Sequence, residues 1–314
     1  MTWRGAVRGW DAAPSRQGRA CGGEGWTRPT ENCPRKEAYK PLGREVRRFY
    51  ADVHRLANKN RSRKNDEQHH VYSNDGEAFY RVSRVSEIPA EQGDELYVDT
   101  IPVELTDEFI ELFRRGVRVL YLRRATMLAK KREELALSKT SRNDVRAMMH
   151  IEPIWFREVD EDYLVMRRLT TAFRSLQRTY LSYLNRAKAL PDDDRRLFME
   201  VVHAVEKSMM ETASSIVSEA EKRYPCFKKV VEELGITGEK HLIAKEALAE
   251  IIPYVERTKS FKRLKKFFGL YEGKKGVNKF YSKPARHALV RLTAAVLKNA
   301  YHRARDEEQL LRRI

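Results

Sequence analysis

Apolar residues recur every three or four positions along one stretch of the chain, with charged residues between them. The spacings are 3, 4, 3, 4, 3, 4 and 3, and the positions are Met166, Leu169, Phe173, Leu176, Tyr180, Tyr183, Ala187 and Leu190. Such a heptad seam predicts a long helix that packs against another helix. The pair is either an antiparallel coiled-coil hairpin within one chain or a dimerisation arm that makes the protein a homo-oligomer.

The Pro191–Asp194 run ends the first of these helices and can cap a second one, which is expected to reach about Tyr224. Its expected apolar face comprises Leu197, Val201, Val205, Met209, Ile216 and Ala220. The two helices together form a predicted coiled-coil region over residues 153–224.

Short apolar runs before this region indicate β-strands. They lie at residues 47–53, 71–85, 95–99 and 117–122, and the second contains the hairpin turn Asn74–Gly76. A helix capped by Thr106 and closed by Gly116 separates the last two runs. The succession of strand, helix, glycine and strand is typical of a βαβ crossover and implies a partly parallel sheet. Residues 126–150 are expected to be helical.

The chain from Pro225 onward is expected to be helical and carries the most uneven charge. Between residues 257 and 291 there are twelve Lys or Arg and one acidic residue, Glu272, in a chain of formal charge +17. This excess favours nucleic acid as the partner, bound through its phosphates in a salt-dependent way. A merely basic protein with a solvated helix face is the alternative. Four apolar residues here are expected to be core: Phe261, Leu264, Phe267 and Phe268.

The composition also indicates where in the cell the protein is found. No apolar run is long enough for a membrane span and no secretory signal is visible, so a cytoplasmic, nucleoid-associated protein is expected. Cys21, Cys33 and Cys226 are read as reduced thiols, because their number is odd and no CxxC spacing occurs. Residues 1–44 lack apolar periodicity and are expected to be a disordered leader, a start codon placed too early, or a functional tail.

Three aspartates stand at positions that suit metal chemistry. Asp52 and Asp99 each follow a predicted strand, and Asp144 lies in a helical stretch after the crossover. Carboxylates at strand ends of one sheet, joined by a third from a helix, can hold two divalent ions for phosphoryl transfer. Oxygen ligands favour Mg²⁺ or Mn²⁺. Taken singly, an aspartate is more often a helix cap or a surface residue than a metal ligand.

The local sequences around these aspartates resemble the bridge-RNA-guided insertion-sequence transposases. YADVHR at residues 50–55 is similar to the GIDVHK that opens their RuvC-like domain, and SKTSRNDVRA at 138–147 to their TKTDRxDARA. FRRGVRV at 113–119 resembles their helix–glycine–strand step. LAEI at 248–251 and the SFKRLKKFFGL that follows at 260–270 resemble their C-terminal LAEI and LxxYxGL motifs. The resemblance covers roughly residues 47–303.

The resemblance implies an α/β plus α fold in four segments. These are a leader at 1–44, an RNase H-like (RuvC-like) DEDD domain at 45–152, a long coiled-coil helical insert at 153–224 and a helical C-terminal transposase domain at 225–314. It implies a transposase or DNA recombinase that cleaves and exchanges DNA strands, guided by structured RNA. Asp52, Asp99 and Asp144 would be catalytic and would bind Mg²⁺ or Mn²⁺.

The chain departs from the family at several of its functional positions. The second family acid, a glutamate, is replaced by Asp99, and the third is replaced by Ser141. The loop 271–276, where the family serine belongs, contains no serine, so Ser282 is the nearest candidate nucleophile. Nucleic acid is expected to contact nine basic residues: Lys262, Arg263, Lys265, Lys266, Lys274, Lys275, Lys279, Lys283 and Arg286.

Three functional hypotheses therefore remain open. The first is an active transposase or recombinase of this family. The second is a degenerate descendant that binds nucleic acid without cutting it, for which the lost carboxylate and serine argue. The third is a helical oligomerisation protein unrelated to nucleic acid, for which the heptad seam argues.

Overall fold

A computed structural model describes residues 45–54, 68–75, 78–258, 260–270 and 281–311. The described chain is mixed α/β and mostly helical. Its strands are β1 (Arg48–Asp52), β2 (His69–Ser73), β3 (Ala78–Val82), β4 (Glu95–Val98), β5 (Arg118–Leu122) and β6 (Phe156–Val159). Its α-helices are α1 (Thr106–Arg114), α2 (Ala125–Glu134), α3 (Ser141–Met149), α4 (Glu161–Ala187), α5 (Asp192–Arg223), α6 (Phe227–Glu233), α7 (Leu242–Glu256), α8 (Phe261–Phe267) and α9 (Lys283–Leu311). The expected leader lies outside the described residues.

The six described strands form one mixed sheet with the order β3-β2-β1-β4-β5-β6. The central strands β1, β4 and β5 are parallel, while β2, β3 and β6 run antiparallel to their neighbours. Helix α1 connects the parallel strands β4 and β5, which confirms the predicted crossover. Gly116 follows α1 at φ +80°, a backbone conformation that glycine adopts without steric cost.

Two details of this region differ from the sequence predictions. Thr106 is the first residue of α1 and not its cap, because its hydroxyl donates to the Val103 carbonyl of the preceding turn at 2.7 Å. Strand β6 was not predicted, since its four residues lie between Pro153 and the Asp160 that caps α4. The helical stretch at 126–150 is divided into α2 and α3.

Alternating side chains of the strands build a hydrophobic core on each face of the sheet. On one face, Leu96 and Val98 of β4 lie in a core with Phe109 and Leu112 of α1. On the other face, Tyr97 lies in a core with Val145 and Met148 of α3. Helix α3 is therefore held against the sheet by its own buried apolar side, which determines where its polar residues lie.

Helices α4 and α5 form an antiparallel hairpin within the chain. At one end the Tyr183 and Phe198 rings lie 5.4 Å apart, and at the other Arg223 Nη1 lies 2.5 Å from Asp162 Oδ1. The seam residues Met166, Phe173 and Ala187 are buried as expected.

The expected apolar face of α5 is only partly correct. Met209, Ile216 and Ala220 are buried, but Leu197 and Val201 are exposed. Near its start, α5 buries Val202 instead, so the buried stripe lies one position later there than predicted.

The helices after α5 share a core with the root of this hairpin. This core includes Phe173 of α4, Ile216 of α5, Ala247 of α7 and Ala288 of α9. It therefore spans the predicted boundary near residue 225. Within α8 and the turn after it, Phe268 is buried, whereas Phe261 is 72% exposed, contrary to expectation. Helix α8 has only seven residues and Phe261 is its first, so it extends beyond the packed face.

Candidate functional site

Two of the predicted aspartates lie side by side at one edge of the sheet. Asp52 is the last residue of β1, and Asp99 directly follows β4. Because Ala51 pairs with Val98 in the parallel register, the two strands deliver their next residues to neighbouring positions. The Val53 N–H donates to Asp99 Oδ1 at 3.1 Å, which ties the end of one strand to the side chain of the other.

The third predicted aspartate reaches the same edge from α3. Thr140 caps this helix, its hydroxyl accepting from the Asn143 N–H at 3.3 Å. Asp144 lies one turn into the helix, and its charge contributes to the pKa of both Asp52 and Asp99. Asp144 is thus near enough for its charge to act on Asp52 and Asp99, and the three aspartates are called the acidic cluster below.

The ionised forms of Asp52 and Asp99 are unfavourable in the acidic cluster. Burial raises the pKa of Asp99 to about 7, and the neighbouring charges of Asp52 and Asp144 act in the same direction. Burial also raises the pKa of Asp52, although His54 and a hydrogen bond from Ser141 oppose this. Near neutral pH the cluster therefore favours either a proton or a cation among its carboxylates.

A histidine and a serine complete the surroundings of Asp52. His54 Nε2 lies 3.5 Å from Asp52 Oδ2 and 3.1 Å from Ser141 Oγ. Both contacts use the same ring nitrogen, so they do not form the relay of a serine hydrolase, in which each nitrogen has its own partner. Sequence reasoning did not assign a role to His54, although its position two residues after a strand-end aspartate was a visible signal.

The fit of the acidic cluster to a metal ion is partial. Asp52, which is buried, and Asp99, which is half-buried, suit a divalent cation, because they are oxygen donors whose mutual repulsion such an ion would offset. Asp144, however, is ion-paired with Arg132 of α2. Within the described residues, no group of three or more His, Cys, Asp or Glu side chains is arranged to hold a metal ion. The Mg²⁺ or Mn²⁺ site stays a prediction.

A cleft opens beside Asp99. Its volume is about 350 Å³, and its walls include Thr100, Tyr121, Tyr163 and Arg167. Arg167 and the rings of Tyr121 and Tyr163 thus line the same space as Asp99, so a ligand in this cleft has access to the Asp99 carboxyl.

The predicted nucleic-acid-binding residues of α8 are available on the surface. Lys262, Arg263, Lys265 and Lys266 are all exposed, as is Lys283 at the start of α9. Arg286 is different, because its Nη1 donates to the carbonyls of Phe268 at 3.2 Å and Gly269 at 2.5 Å. Its guanidinium therefore satisfies backbone carbonyls at the C-terminal end of α8. Lys274, Lys275 and Lys279 lie outside the described residues.

Ser282 contacts α8 and α9. Its N–H donates to the Phe267 carbonyl at 2.9 Å, and its hydroxyl accepts from the Ala285 N–H at 3.4 Å. The second contact is that of a helix N-terminal cap. The structure thus gives this hydroxyl a structural partner, and its role as a nucleophile stays a prediction.

Comparison with known proteins adds no assignment to this site. No protein-family model matches the chain, and no significant match is found among curated proteins. Of the described helices, none is long and apolar enough to cross a membrane. Cys226 is a free thiol, while Cys21 and Cys33 lie outside the described residues.

Proposed function

We propose that this chain is a transposase or DNA recombinase that cleaves and exchanges DNA strands by phosphoryl transfer, guided by structured RNA. One observation carries the proposal: Asp52, Asp99 and Asp144, which are far apart in the sequence, meet at the edge of the sheet where the resemblance requires its catalytic carboxylates. A protein in which each aspartate served as an isolated cap or surface residue would have no reason to place a half-buried Asp99 beside a buried Asp52.

The sheet supports an RNase H-like assignment of its domain. Three antiparallel strands in the order β3-β2-β1, followed by the parallel strands β4 and β5, place two acids at adjacent carboxyl ends. The hairpin of α4 and α5 supports the coiled-coil insert. Its exposed Leu181, Leu197 and Val201 support a homo-oligomer formed through this arm.

The chain's own residues would act in distinct ways in this proposal. Asp52 and Asp99 would hold Mg²⁺ or Mn²⁺, with Asp144 joining them once Arg132 is displaced. A bound divalent ion would stabilise the charge that develops on phosphate oxygens. His54 would orient the Asp52 carboxylate through its Nε2. The exposed cations of α8 would bind DNA and RNA phosphates, as in a cytoplasmic, nucleoid-associated protein.

A second function is favoured by the ion pair between Arg132 and Asp144. Together with Ser141 at a family acid position, this pair leaves fewer carboxylates free than a two-metal site needs. The alternative is therefore a transposase-derived protein that binds nucleic acid and does not cleave it.

One experiment separates these functions. DNA and transcribed RNA from the flanks of this gene are incubated with the protein and Mg²⁺, and strand cleavage is followed on denaturing gels. Cleavage that is lost in EDTA and in Asp52→Ala, but retained in the exposed-site control Asp193→Ala, supports the recombinase. Salt-dependent binding without cleavage, unchanged in Asp52→Ala, supports the alternative. No retention of either nucleic acid in a filter assay contradicts both and leaves the oligomerisation protein.

The role of Ser282 is tested by a substitution that keeps its cap. Asparagine caps helices about as well as serine but has no hydroxyl to attack phosphate. Ser282→Asn is therefore expected to fold as stably as the parent and to lose strand cleavage if the hydroxyl is the nucleophile. Unchanged cleavage in Ser282→Asn would remove Ser282 from the site.

A further inference from the structure

Helix α3 presents a basic side as well as an acidic one. Arg142 and Arg146 are four positions apart and so lie on the same side of the helix, about 160° around the axis from Asp144. Both arginines are exposed. The helix that supplies a carboxylate to the acidic cluster therefore also carries two cations on its opposite flank.

These cations are held in place by an aromatic ring of the sheet. The guanidinium carbons of Arg142 and Arg146 lie 4.8 and 5.4 Å from the centroid of the Phe79 ring. Phe79 in turn packs against Tyr72, with their centroids 4.8 Å apart. Contacts of this kind position a guanidinium without neutralising it.

Neither guanidinium is within ion-pair distance of a carboxylate of the described residues. Other arginines of the same sheet are neutralised: Arg47 is paired with Asp94, and Arg118 with Glu158. The two arginines thus carry a joint charge of +2 next to the Phe79 ring. A solvated surface would be expected to mix charges of both signs.

A cavity of about 420 Å³ adjoins this pair. Tyr72, Phe79, Arg146 and His150 are among its walls. Its size is that of a small-ligand pocket, and it joins aromatic rings to a cation. We call the surface formed by Tyr72, Phe79, Arg142, Arg146 and His150 the arginine groove.

The arginine groove is close to the acidic cluster. The ring of His70 lies 6.2 Å from that of His54, the partner of Asp52. Burial lowers the pKa of His70 most, followed by the charges of Arg81, His54 and Arg142, so the Arg142 guanidinium is near enough to act on this ring. A short path from Arg142 through His70 and His54 therefore ends at Asp52.

We propose that the arginine groove binds single-stranded nucleic acid and leads the strand past the acidic cluster. Arginine fits phosphate by bidentate hydrogen bonds, and guanidinium planes and aromatic rings stack on bases that are free of a partner strand. DNA and RNA strands share this chemistry, whereas a duplex keeps its bases stacked inside. The inference rests on the proposed function and names where its strand would lie.

The test measures binding in a protein that lacks the four exposed cations of α8, so that these do not mask the contribution of the groove. The full-length chain with Lys262→Ala, Arg263→Ala, Lys265→Ala and Lys266→Ala is the parent. Labelled pyrimidine 12-mers of DNA and of RNA, and a DNA duplex of equal length, are titrated by fluorescence anisotropy over a range of salt. The variants are Arg142→Ala/Arg146→Ala and a control pair, Arg114→Ala/Arg178→Ala, which removes the same charge elsewhere.

In the groove variant we expect single-strand affinity to fall by about tenfold or more, since charge-assisted hydrogen bonds are lost. The slope of log K against log[salt] should become shallower by about 1.4, because each lost phosphate contact on a single strand accounts for about 0.7. The control pair should stay within about twofold of the parent. Arg142→Lys/Arg146→Lys should recover most of the salt slope and less of the affinity, because lysine retains charge but not the planar fork.

The inference is overturned if the parent does not bind either strand, or if the groove variant binds with the parent's affinity and salt slope. Tighter binding of the duplex than of both single strands would also overturn it. Preference between the DNA and RNA 12-mers identifies which strand the groove holds. These outcomes are independent of cleavage: a protein that never cuts DNA can satisfy them, and a cleaving protein can fail them.

Discussion

The unfavourable ionisation of Asp99 in the acidic cluster has a measurable consequence for stability. Asp99→Asn replaces the most perturbed carboxyl by a neutral group of the same shape, which can still accept the hydrogen bond from the Val53 N–H. In metal-free buffer we expect the substitution to stabilise the fold at about pH 8, because the parent must bury an ionised carboxylate beside Asp52 and Asp144.

The magnitude follows from the pKa values. The pKa of Asp99 is about 7 in the folded protein and 3.8 in the unfolded chain. Between these values the folded state binds more protons, so the parent loses stability as pH rises from about 4 to 7. A full shift corresponds to about 4 kcal/mol above pH 7, of which roughly 2 to 3 kcal/mol arises between pH 5 and pH 8. Asparagine removes this dependence.

Urea unfolding in EDTA at a series of pH values measures the effect. The difference in unfolding free energy between Asp99→Asn and the parent should become more favourable to the variant by about 2 to 3 kcal/mol from pH 5 to pH 8. Saturating Mg²⁺ should narrow the difference at about pH 8 if the cluster binds the ion. A variant that is less stable than its parent at high pH, or a difference that does not change with pH, would refute the reasoning.

Two further predictions concern residues that hold the fold around the site. Arg291 Nη2 donates to Glu246 at 2.8 Å and to Glu250 at 3.3 Å. Arg291→Met should therefore cost about 3–5 kcal/mol, because it leaves the buried Glu246 without its ion-pair partner while Glu250 keeps Arg174; exposed Arg178→Met is the control. A loss below about 1 kcal/mol in calorimetry would contradict this. Gly116→Ala should cost about 1–3 kcal/mol, because a Cβ would lie 2.9 Å from Gln92 Cγ at φ +80°. Gly238→Ala, where the nearest atom is at 3.8 Å, should be near neutral in the same urea unfolding.

The sheet was predictable from the sequence because short stretches of neighbouring residues signal most of its strands and its crossover. Alternating apolar runs identified five strands, and the glycine after α1 identified the crossover. Once β1 and β4 are parallel neighbours, the positions of Asp52 and Asp99 follow from the register alone. Strand β6 gave no such signal, since four residues that pair with β5 only through tertiary structure do not produce a period.

The partners of the aspartates could not be predicted, because they come from separate elements. Arg132 reaches Asp144 only because α2 folds back against α3, and Ser141 reaches His54 only because α3 lies across the end of β1. These contacts determine how many carboxylates remain free. The resemblance to the transposases places Ser141 at a position where that family has an acid, but it gives no sign that Arg132 pairs with Asp144.

The same dependence on tertiary structure changes where the nucleic acid is expected. Counting cations favoured residues 257–291, where twelve basic residues lie close in sequence. Arg142 and Arg146 are two among many arginines in such a count, and the structure distinguishes them by the absence of a described carboxylate partner and by the Phe79 ring beneath them.

Helix α3 links these two surfaces physically. Its buried side is fixed in the core by Val145 and Met148, so Asp144 and the pair Arg142 and Arg146 cannot move independently. A strand held by the two arginines would therefore lie at a set distance from the acidic cluster, because the same core contacts of one helix fix both surfaces.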